Sequence, residues 1–300
     1  MSAPELRPFG ETSLSVSALG FGAGALGTAA VTEKEADALL GSIVDLGINL
    51  LDAARSYGLA EERIGRHLGA RRAKLVLSTK GGYGVSGVDD WTSEAIRLGI
   101  DEALARMRTD WIDVFHLHSC PRAVLSREDI LTALERARDS GKVRVLAYSG
   151  EGDALSWALE SRRFGALQCS FNAFDQQSLD RVLVPARARG LGVIAKRPLA
   201  NCPWRFSERP HGEYAETYWE RMRAMDLDLA RDAEGMAWVE LALRFSAFAP
   251  GVSSVIVGST RIEHVRDNAR LLERGPLPHT IEERVRAAFA SHGANWTGQI

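Results

Sequence analysis

The chain alternates between short apolar runs and longer stretches in which apolar residues recur every three or four positions. The short runs are rich in Val, Ile, Leu and Phe, and several have no polar side, which is typical of β-strands covered on both faces. The longer stretches have the spacing of amphipathic helices, and one of them starts with Thr32 and Glu35, a pair with capping-box spacing. The strands are predicted at residues 16–21, 48–52, 74–79, 112–118, 142–148, 166–171, 191–196 and 253–258.

This alternation predicts the fold. Strands joined through helices form a parallel sheet with right-handed crossovers. Eight such strands with no linker between them favour a closed (β/α)8 barrel, or TIM barrel, over an open sheet, and a chain of 300 residues fits one such barrel. We therefore expect a single α/β domain over residues 1–300. Before the first strand, Pro8 and Gly10 are turn residues that predict an N-terminal β-hairpin closing the barrel floor.

Composition and charge narrow the possible functions. The formal net charge of −2 gives no sign of nucleic-acid or anionic-membrane binding. No apolar run approaches the roughly 18 residues of a membrane-spanning helix, and the N-terminus lacks the basic-then-apolar order of a signal peptide. Cys120, Cys169 and Cys202 have no C-x-x-C spacing and are expected to be free thiols. We expect a soluble, cytoplasmic protein with no nucleic-acid or membrane partner. Nothing in the sequence pattern indicates which oligomeric state the protein adopts.

Ionisable residues stand at the ends of three predicted strands. Asp52 ends the second strand, and Tyr57 follows five residues later. Lys80 follows the third strand, and His118 ends the fourth. In a (β/α)8 barrel the carboxyl ends of the strands form one open face, where catalytic residues lie. We therefore expect these four side chains to converge on that face.

The chemistry of these four groups is complementary. A phenol with a pKa of about 10 exchanges protons poorly at neutral pH, and a nearby ammonium group favours its phenolate form. A carboxylate can hold the ammonium in place, and a neutral imidazole can orient a substrate oxygen. Each residue alone also fits a structural role, as a loop cap, a packed ring, a solvated strand end or a buried histidine. Their combination on adjacent strand ends favours proton delivery to a carbonyl oxygen.

Several stretches resemble the aldo-keto reductases. "INLLDAARSYGLAEERIGRHL" is similar to the family's signature and aligns its Asp and Tyr with Asp52 and Tyr57. "LVLSTKGG" resembles the lysine strand, with Lys80, and "IDVFHLHS" resembles the histidine strand, with His118. "GKVRVLAYSG", "LQCSFN" and "VIVGSTRIEHVRDN" match further family blocks in order, so the resemblance covers nearly the whole chain.

This resemblance implies a (β/α)8 barrel that uses NADP(H) to reduce an aldehyde or ketone to an alcohol. In the family the hydride comes from the nicotinamide, and the counterpart of Tyr57 is the proton donor. The residues that match Asp52 and Lys80 tune this tyrosine, and the match of His118 binds and orients the carbonyl group.

The segment after the last strand is the expected phosphate site. Thr260 and Glu263 have capping-box spacing, which predicts a helix N-terminus whose free N–H groups favour phosphate. Arg261 beside it suits a 2′-phosphate and favours NADP over NAD. Without the resemblance, an ordinary capped helix with a surface arginine fits equally well. With it, the expected cofactor-binding residues are Gly22, Ser149, Gln168, Lys196, Arg197, Pro198, Leu199, Gly258, Ser259, Thr260, Arg261, His264, Asp267 and Asn268. By the same resemblance, Ser149 and Gln168 hold the nicotinamide carboxamide.

The sequence departs from the family pattern at three places. Ala53 stands where the family usually has threonine, so we expect Asp52 to lack a hydroxyl contact there. Gly150 replaces an asparagine that often follows the fifth strand. Lys196 and Arg197 stand where an aromatic residue often covers the nicotinamide, and a guanidinium can stack on a ring or reach a pyrophosphate.

Two motifs suggest other folds or sites. Gly22, Gly24 and Gly27 spell G-x-G-x-x-G, the outline of a dinucleotide-binding unit. In that unit the helix begins inside the glycines, whereas here it is delayed to Thr32, so we interpret the glycines as room for a cofactor or substrate at the barrel mouth.

The "HLH" pair resembles a metal-binding pair, but the other histidines do not stand at strand ends. We expect no metal site, and expect His116 to be a buried neighbour of the active-site histidine.

Substrate and direction stay open. Trp204 and Trp296 are candidates for a substrate pocket wall, whereas Tyr218 and Met222 have the helical spacing of core residues. Since reductases and dehydrogenases share one active site, an enzyme that works mainly as an alcohol or sugar dehydrogenase is an alternative. Another is a regulatory or redox-sensing barrel that binds NADP(H) with little turnover, because reductase-like barrels also serve as regulatory subunits.

Overall fold

The computed structural model describes residues 6–299. Its strands are β1 Leu6–Pro8, β2 Ser15–Ser17, β3 Leu19–Gly22, β4 Leu50–Asp52, β5 Val76–Gly81, β6 Ile112–His118, β7 Val143–Ser149, β8 Ala166–Ser170, β9 Gly192–Lys196 and β10 Ser254–Val257. Its α-helices are α1 Glu33–Asp45, α2 Ala60–Leu68, α3 Ser93–Met107, α4 Arg122–Leu125, α5 Glu128–Asp139, α6 Gly152–Ser161, α7 Val184–Ala188, α8 Glu216–Met225, α9 Leu229–Asp232, α10 Trp238–Ala247, α11 Ile262–Glu273 and α12 His279–His292.

Strands β3 to β10 are parallel and close into a barrel. Each pairs with the next, and β10 also pairs with β3, so this sheet has no free edge. The prediction of a (β/α)8 barrel is confirmed. The predicted strand at 16–21 is wrong in one respect, because it is divided at Ala18 between β2 and β3. The Ser17 hydroxyl donates to the Leu19 carbonyl at 2.7 Å, and this local bond turns the chain between the two strands.

The N-terminal hairpin lies at the barrel floor, as predicted. β1 and β2 pair antiparallel, and the side chains of Phe9, Leu14 and Val16 are buried. They pack in one apolar cluster with Leu50 and Val76, the first residues of β4 and β5. Since parallel strands begin at the closed end of the barrel, the hairpin covers the end opposite the predicted active site.

The helices pack around the barrel with their apolar faces inward. Thr32 is the N-cap of helix α1, and both hydrogen bonds of the predicted capping box with Glu35 are present. Cys120, Cys169 and Cys202 are free thiols, as expected. Within residues 6–299, the helices are too short or too polar to cross a membrane.

Candidate active site

A buried ion pair forms the base of the site. Asp52 is the last residue of β4, and Lys80 lies near the end of the neighbouring strand β5. Lys80 Nζ lies 2.5 Å from Asp52 Oδ2 and also donates to the Ala53 carbonyl at 2.8 Å. Each residue is only 1% exposed. Burial alone would raise the pKa of Asp52, but the Lys80 charge holds it below its usual value, and the Asp52 charge likewise keeps the pKa of Lys80 above its usual value.

The other carboxylate oxygen of Asp52 has two donors. The Ser78 hydroxyl donates to Asp52 Oδ1 at 2.7 Å, and Gln168 Nε2 donates to it at 3.0 Å. The expectation that Asp52 lacks a hydroxyl contact is therefore wrong. Ala53 supplies none, but the neighbouring strand does. Ser78 Oγ also lies 3.1 Å from His116 Nε2, so this hydroxyl joins a buried imidazole to the carboxylate.

Tyr57 lies directly over this ion pair. Lys80 Nζ is 4.9 Å from the centre of the Tyr57 ring, and the phenol adds to the raised pKa of Lys80, after the larger effects of burial and Asp52. The backbone of Tyr57 packs closely against Gly27, where a Cβ would lie 1.6 Å from the Tyr57 carbonyl oxygen. Gly27 therefore makes room for the tyrosine loop, whereas we expected room for a ligand. Gly22 and Gly24, the other two glycines of the motif, line the cleft described below.

Two histidines of β6 accompany the pair. His118 meets the Tyr57 ring edge-on, with 6.0 Å between ring centres. Burial, and then the Lys80 charge, lower the pKa of His118 to about 4. His116 is fully buried beside it, as expected, and burial lowers its pKa to about 3. Both imidazoles are therefore neutral at neutral pH.

An active-site cleft of about 290 Å³ opens beside this cluster. Asp52 and Tyr57 line it, together with Gly24 and Asn201. The expected cofactor-binding residues that also line it are Gly22, Lys196, Arg197, Pro198, Leu199 and Gly258. The structure thus brings Asp52, Tyr57 and these backbone and cationic groups to one cavity.

Ser149 and Gln168 lie buried beneath the cluster and are bonded to each other. The Ser149 hydroxyl donates to Gln168 Oε1 at 2.9 Å, and the Gln168 amide nitrogen donates to Asp52. A primary amide has two N–H groups and a hydroxyl oxygen has two lone pairs. One N–H of Gln168 and the Ser149 oxygen therefore retain hydrogen-bonding capacity for a carboxamide.

The two cations after β9 already have partners within the protein. Lys196 Nζ lies 3.3 Å from Glu151 Oε1, and both side chains are largely buried. Burial lowers the pKa of Lys196, although the Glu151 charge opposes this effect. Arg197 Nη1 donates to the Ser170 hydroxyl at 2.8 Å and to the Gln299 carbonyl at 2.5 Å. Lys196 and Arg197 both line the cleft, but the cationic group of each contacts an acceptor within the protein.

The segment after β10 differs from the prediction. The capping box at Thr260 and Glu263 is wrong, because α11 begins at Ile262 with Arg261 as its N-cap and no side-chain capping bond. The Ser259 hydroxyl forms a local turn just before the helix, since Ser259 Oγ accepts from the Arg261 amide at 3.0 Å. Thr260 and Arg261 remain exposed at this helix N-terminus.

The other expected residues of this segment vary in their surroundings. His264 Nδ1 lies 3.3 Å from Ser259 Oγ. Asp267 is exposed and lies 3.2 Å from Arg270 Nη1, whereas Asn268 is buried. Within residues 6–299, no group of three or more His, Cys, Asp or Glu side chains is placed to hold a metal ion.

The two tryptophans expected at the substrate pocket do not line the cleft that contains Asp52 and Tyr57. Trp204 stacks on Trp238, with 6.1 Å between ring centres. Trp296 meets the Phe289 ring edge-on and lines a separate cavity that also contains Ser170. Tyr218 and Met222 pack in the core, with Tyr218 fully buried.

Two residues near the site were missed by sequence reasoning. Ser78 precedes Lys80 by two positions on one strand, and this spacing puts both side chains on the same face. Tyr83 lies in the loop after β5, with its hydroxyl 2.7 Å from His118 Nδ1. The only signal for Tyr83 was its position just beyond the Lys80 strand.

Comparison with known proteins agrees with this fold. Residues 18–288 match the model of the Aldo/keto reductase family. The chain is 31% identical over 284 residues to "L-galactose dehydrogenase" of Arabidopsis thaliana, covering 89% of this chain and 88% of that protein. It is 28% identical over 318 residues to "Probable voltage-gated potassium channel subunit beta" of Oryza sativa subsp. japonica, covering 93% and 95%.

Among solved structures, the holo form of an aldo-keto reductase from Bacillus halodurans superimposes with a TM-score of 0.80. The two chains are 25% identical, and the match covers 95% of this chain and 96% of that one. Together, the family match over most of the chain, the closed barrel and the residues at its strand ends lead to one conclusion: this chain belongs to the aldo/keto reductase family.

Proposed function

We propose that this protein is an NADP(H)-dependent oxidoreductase that reduces an aldehyde or ketone to an alcohol. One observation carries this proposal: the Tyr57 phenol lies over a buried Lys80 ammonium that Asp52 holds at 2.5 Å. Members of this family act on small-molecule carbonyl compounds, so we propose a small carbonyl or alcohol substrate. The three free thiols support a reducing, cytoplasmic location.

The proposed roles follow from the charges around the phenol. Tyr57 gives its proton to the carbonyl oxygen, which becomes the alcohol hydroxyl. The Lys80 ammonium stabilises the phenolate that remains, and Asp52 keeps this ammonium charged and in place. Neutral His118 donates a hydrogen bond to the same oxygen as negative charge develops there.

The residues at the cleft are compatible with a nicotinamide cofactor. Gly22 and Gly258 lie at adjacent strand ends, line the cleft and carry no side chain. This lets a flat ring approach closely, and the remaining capacity of Ser149 and Gln168 suits its carboxamide. The bound cofactor would supply the hydride.

A preference for NADP(H) over NAD(H) is proposed on the exposed residues at the start of α11. Arg261 is exposed and is the N-cap of this helix, and a guanidinium and a helix N-terminus both favour a phosphate group. Ser259, Thr260, His264, Asp267 and Asn268 complete the proposed site for the adenosine end of the cofactor.

Two alternatives have support among the relatives. The resemblance to an L-galactose dehydrogenase favours an enzyme that mainly oxidises a sugar or another alcohol. The resemblance to a channel β subunit favours a regulatory barrel that binds NADP(H) with little turnover. A panel of carbonyl and alcohol substrates, with NADPH and NADP in parallel, separates all three.

The first experiment is NADPH oxidation with 4-nitrobenzaldehyde. The wild-type protein should oxidise NADPH, and Tyr57→Phe should lower the rate by at least about 100-fold, because general acid catalysis supplies about that much or more. Tyr214→Phe is a matched control, since Tyr214 is 85% exposed and lies outside the cleft. It should keep full activity.

Two results would contradict the proposal in different ways. Full activity in Tyr57→Phe would show that Tyr57 is not the proton donor. Binding of NADPH, measured by quenching of tryptophan fluorescence, without turnover across the panel would favour the regulatory alternative.

A further inference from the structure

Tyr83 connects the loop after β5 to the active-site histidine. Its hydroxyl lies 2.7 Å from His118 Nδ1 and 3.0 Å from Ser56 Oγ. Its ring is tilted by 31° to the imidazole, with 5.7 Å between the two ring centres. The phenol is therefore placed to bond one particular nitrogen of His118.

The loop holds Tyr83 from both sides. The Trp91 amide donates to the Gly82 carbonyl at 2.8 Å, and Arg55 Nε donates to the Gly84 carbonyl at 2.8 Å. The Trp91 ring packs against the Tyr83 ring, with 5.6 Å between centres. Because both neighbouring residues are tied down and the ring is packed, the hydroxyl has a fixed position.

The direction of the bond to His118 decides which ring nitrogen carries the proton. A neutral imidazole has a single N–H, and the partner of one nitrogen determines the state of the other. Tyr83 has one hydroxyl proton, which can go to His118 Nδ1 or to Ser56 Oγ. Ser56 is exposed and can bond to solvent, whereas Nδ1 faces the phenol at the shorter distance. The alternative is an Nδ1–H group that donates to the phenol oxygen while the phenol donates to Ser56. The 2.7 Å separation is typical of an O–H donor and short for an N–H donor, so donation from the phenol to Nδ1 is favoured.

The consequence appears on the opposite nitrogen. When Nδ1 accepts from Tyr83, Nε2 carries the proton and becomes a donor. Among residues 6–299, no hydrogen-bond partner contacts Nε2 of His118, which leaves this N–H for a substrate oxygen near Tyr57. We infer that Tyr83 is a positioning residue that holds His118 in its Nε2–H tautomer, as a hydrogen-bond donor to the carbonyl oxygen. This inference rests on the proposed carbonyl reduction.

The direct test is ¹⁵N NMR of histidine-labelled protein at pH 7.5, with the His118 signals assigned by their loss in His118→Asn. The wild-type protein should show a protonated Nε2 and an unprotonated Nδ1. Tyr83→Phe, which keeps the packed ring, should lose this preference. Ser56→Ala is the matched control and should keep the wild-type tautomer, because it removes only the competing acceptor.

An Nδ1–H tautomer in the wild-type protein would overturn the inference, as would an unchanged tautomer in Tyr83→Phe. These readouts need no turnover, so they remain decisive if the wild-type protein reduces no carbonyl compound. In that case the proposed function fails, while the assignment of the tautomer is still tested.

Kinetics provide the second test. Tyr83→Phe should lower kcat by about 10- to 100-fold, the range found when a group that orients a metal-bound histidine is lost, with little change in KM. The His118 Nε2–H donor contributes most when negative charge develops on the carbonyl oxygen in the transition state. Losing this donor therefore lowers kcat more than it changes KM. In a His118→Ala background, Tyr83→Phe should change the rate by less than about twofold, since the two act as one unit. An equal loss in both backgrounds would indicate a merely structural role and overturn the inference.

Discussion

Replacing Lys80 by methionine tests the buried ion pair at the base of the site. Methionine has a similar length and no charge, so the change leaves the Asp52 carboxylate without its cation in a position that is 1% exposed. Removing one partner of a buried pair costs about 3–5 kcal/mol, because the remaining charge is uncompensated. Ser78 and Gln168 still donate to that carboxylate, which places the expected loss near the lower end, at about 3 kcal/mol.

This loss translates into a measurable shift of the melting temperature. A chain of 300 residues has an unfolding entropy of about 0.6 kcal/mol/K, from about 2.1 cal/mol/K per residue. A loss of about 3 kcal/mol therefore lowers Tm by about 5 °C. Differential scanning calorimetry at pH 7.5 measures this shift.

A second lysine provides a matched control. Lys142 Nζ lies 2.5 Å from Asp101 Oδ1, the same distance as in the buried pair, but these side chains are 42% and 35% exposed. Exposed pairs contribute about 0–1 kcal/mol, so Lys142→Met should lower Tm by less than about 2 °C. Asp52→Asn combined with Lys80→Met should recover much of the loss, because no charge is then left buried.

The effect of pH has a definite sign. In the wild-type protein Lys80 keeps the pKa of Asp52 below its usual value of about 3.9, so the pair stabilises the fold above that pH and is lost only in stronger acid. In Lys80→Met, burial is left to raise the pKa of Asp52, and the carboxyl takes up a proton as the pH falls. The Tm difference between variant and wild type should therefore shrink between pH 7.5 and pH 4.5. A difference that stays constant, or a Tm loss no larger than in Lys142→Met, would refute the reasoning.

Two further predictions concern groups beside this pair. Ser78→Ala removes the hydroxyl that donates to Asp52 and contacts His116. The variant should lose about 1–3 kcal/mol of folding stability, and its Tm should fall by about 2–5 °C. An unchanged Tm would show that this hydroxyl does not support the pair. For the second prediction, burial lowers the pKa of His118 to about 4, so kcat/KM for carbonyl reduction should show no break near pH 6.5 when measured from pH 8 to pH 5. An inflection there would mean that a protonating imidazole controls the reaction and that His118 is not neutral.

The barrel and the positions of its ionisable residues could be predicted from short-range patterns. An apolar run predicts a buried strand, and strands that alternate with helices must be parallel, so residues at their ends meet on one face. Asp52 and Lys80 are neighbours for this reason. The same reasoning could have found Ser78, which shares a face with Lys80 because side chains alternate along a strand.

The remaining features depend on loop geometry that residue spacing does not determine. Ser259 and Thr260 are adjacent hydroxyls, and their spacing from later residues cannot decide which one bonds the backbone at the start of α11. Trp204 and Trp296 have large rings suited to a pocket or to the core, and packing against Trp238 and Phe289 decides their place. Tyr83 lies in a loop without periodicity, where no pattern predicts the bond to His118.

The most direct test of the proposed reaction follows the hydride itself. Incubating the protein with 4-nitrobenzaldehyde and NADPH that carries deuterium at both C4 positions, followed by mass spectrometry of the product, detects its transfer. We expect 4-nitrobenzyl alcohol with one deuterium on its benzylic carbon, formed by wild-type protein and at least about 100-fold more slowly by Tyr57→Phe. Bound cofactor with no deuterium in any product, or labelled alcohol formed equally fast by Tyr57→Phe, would contradict it.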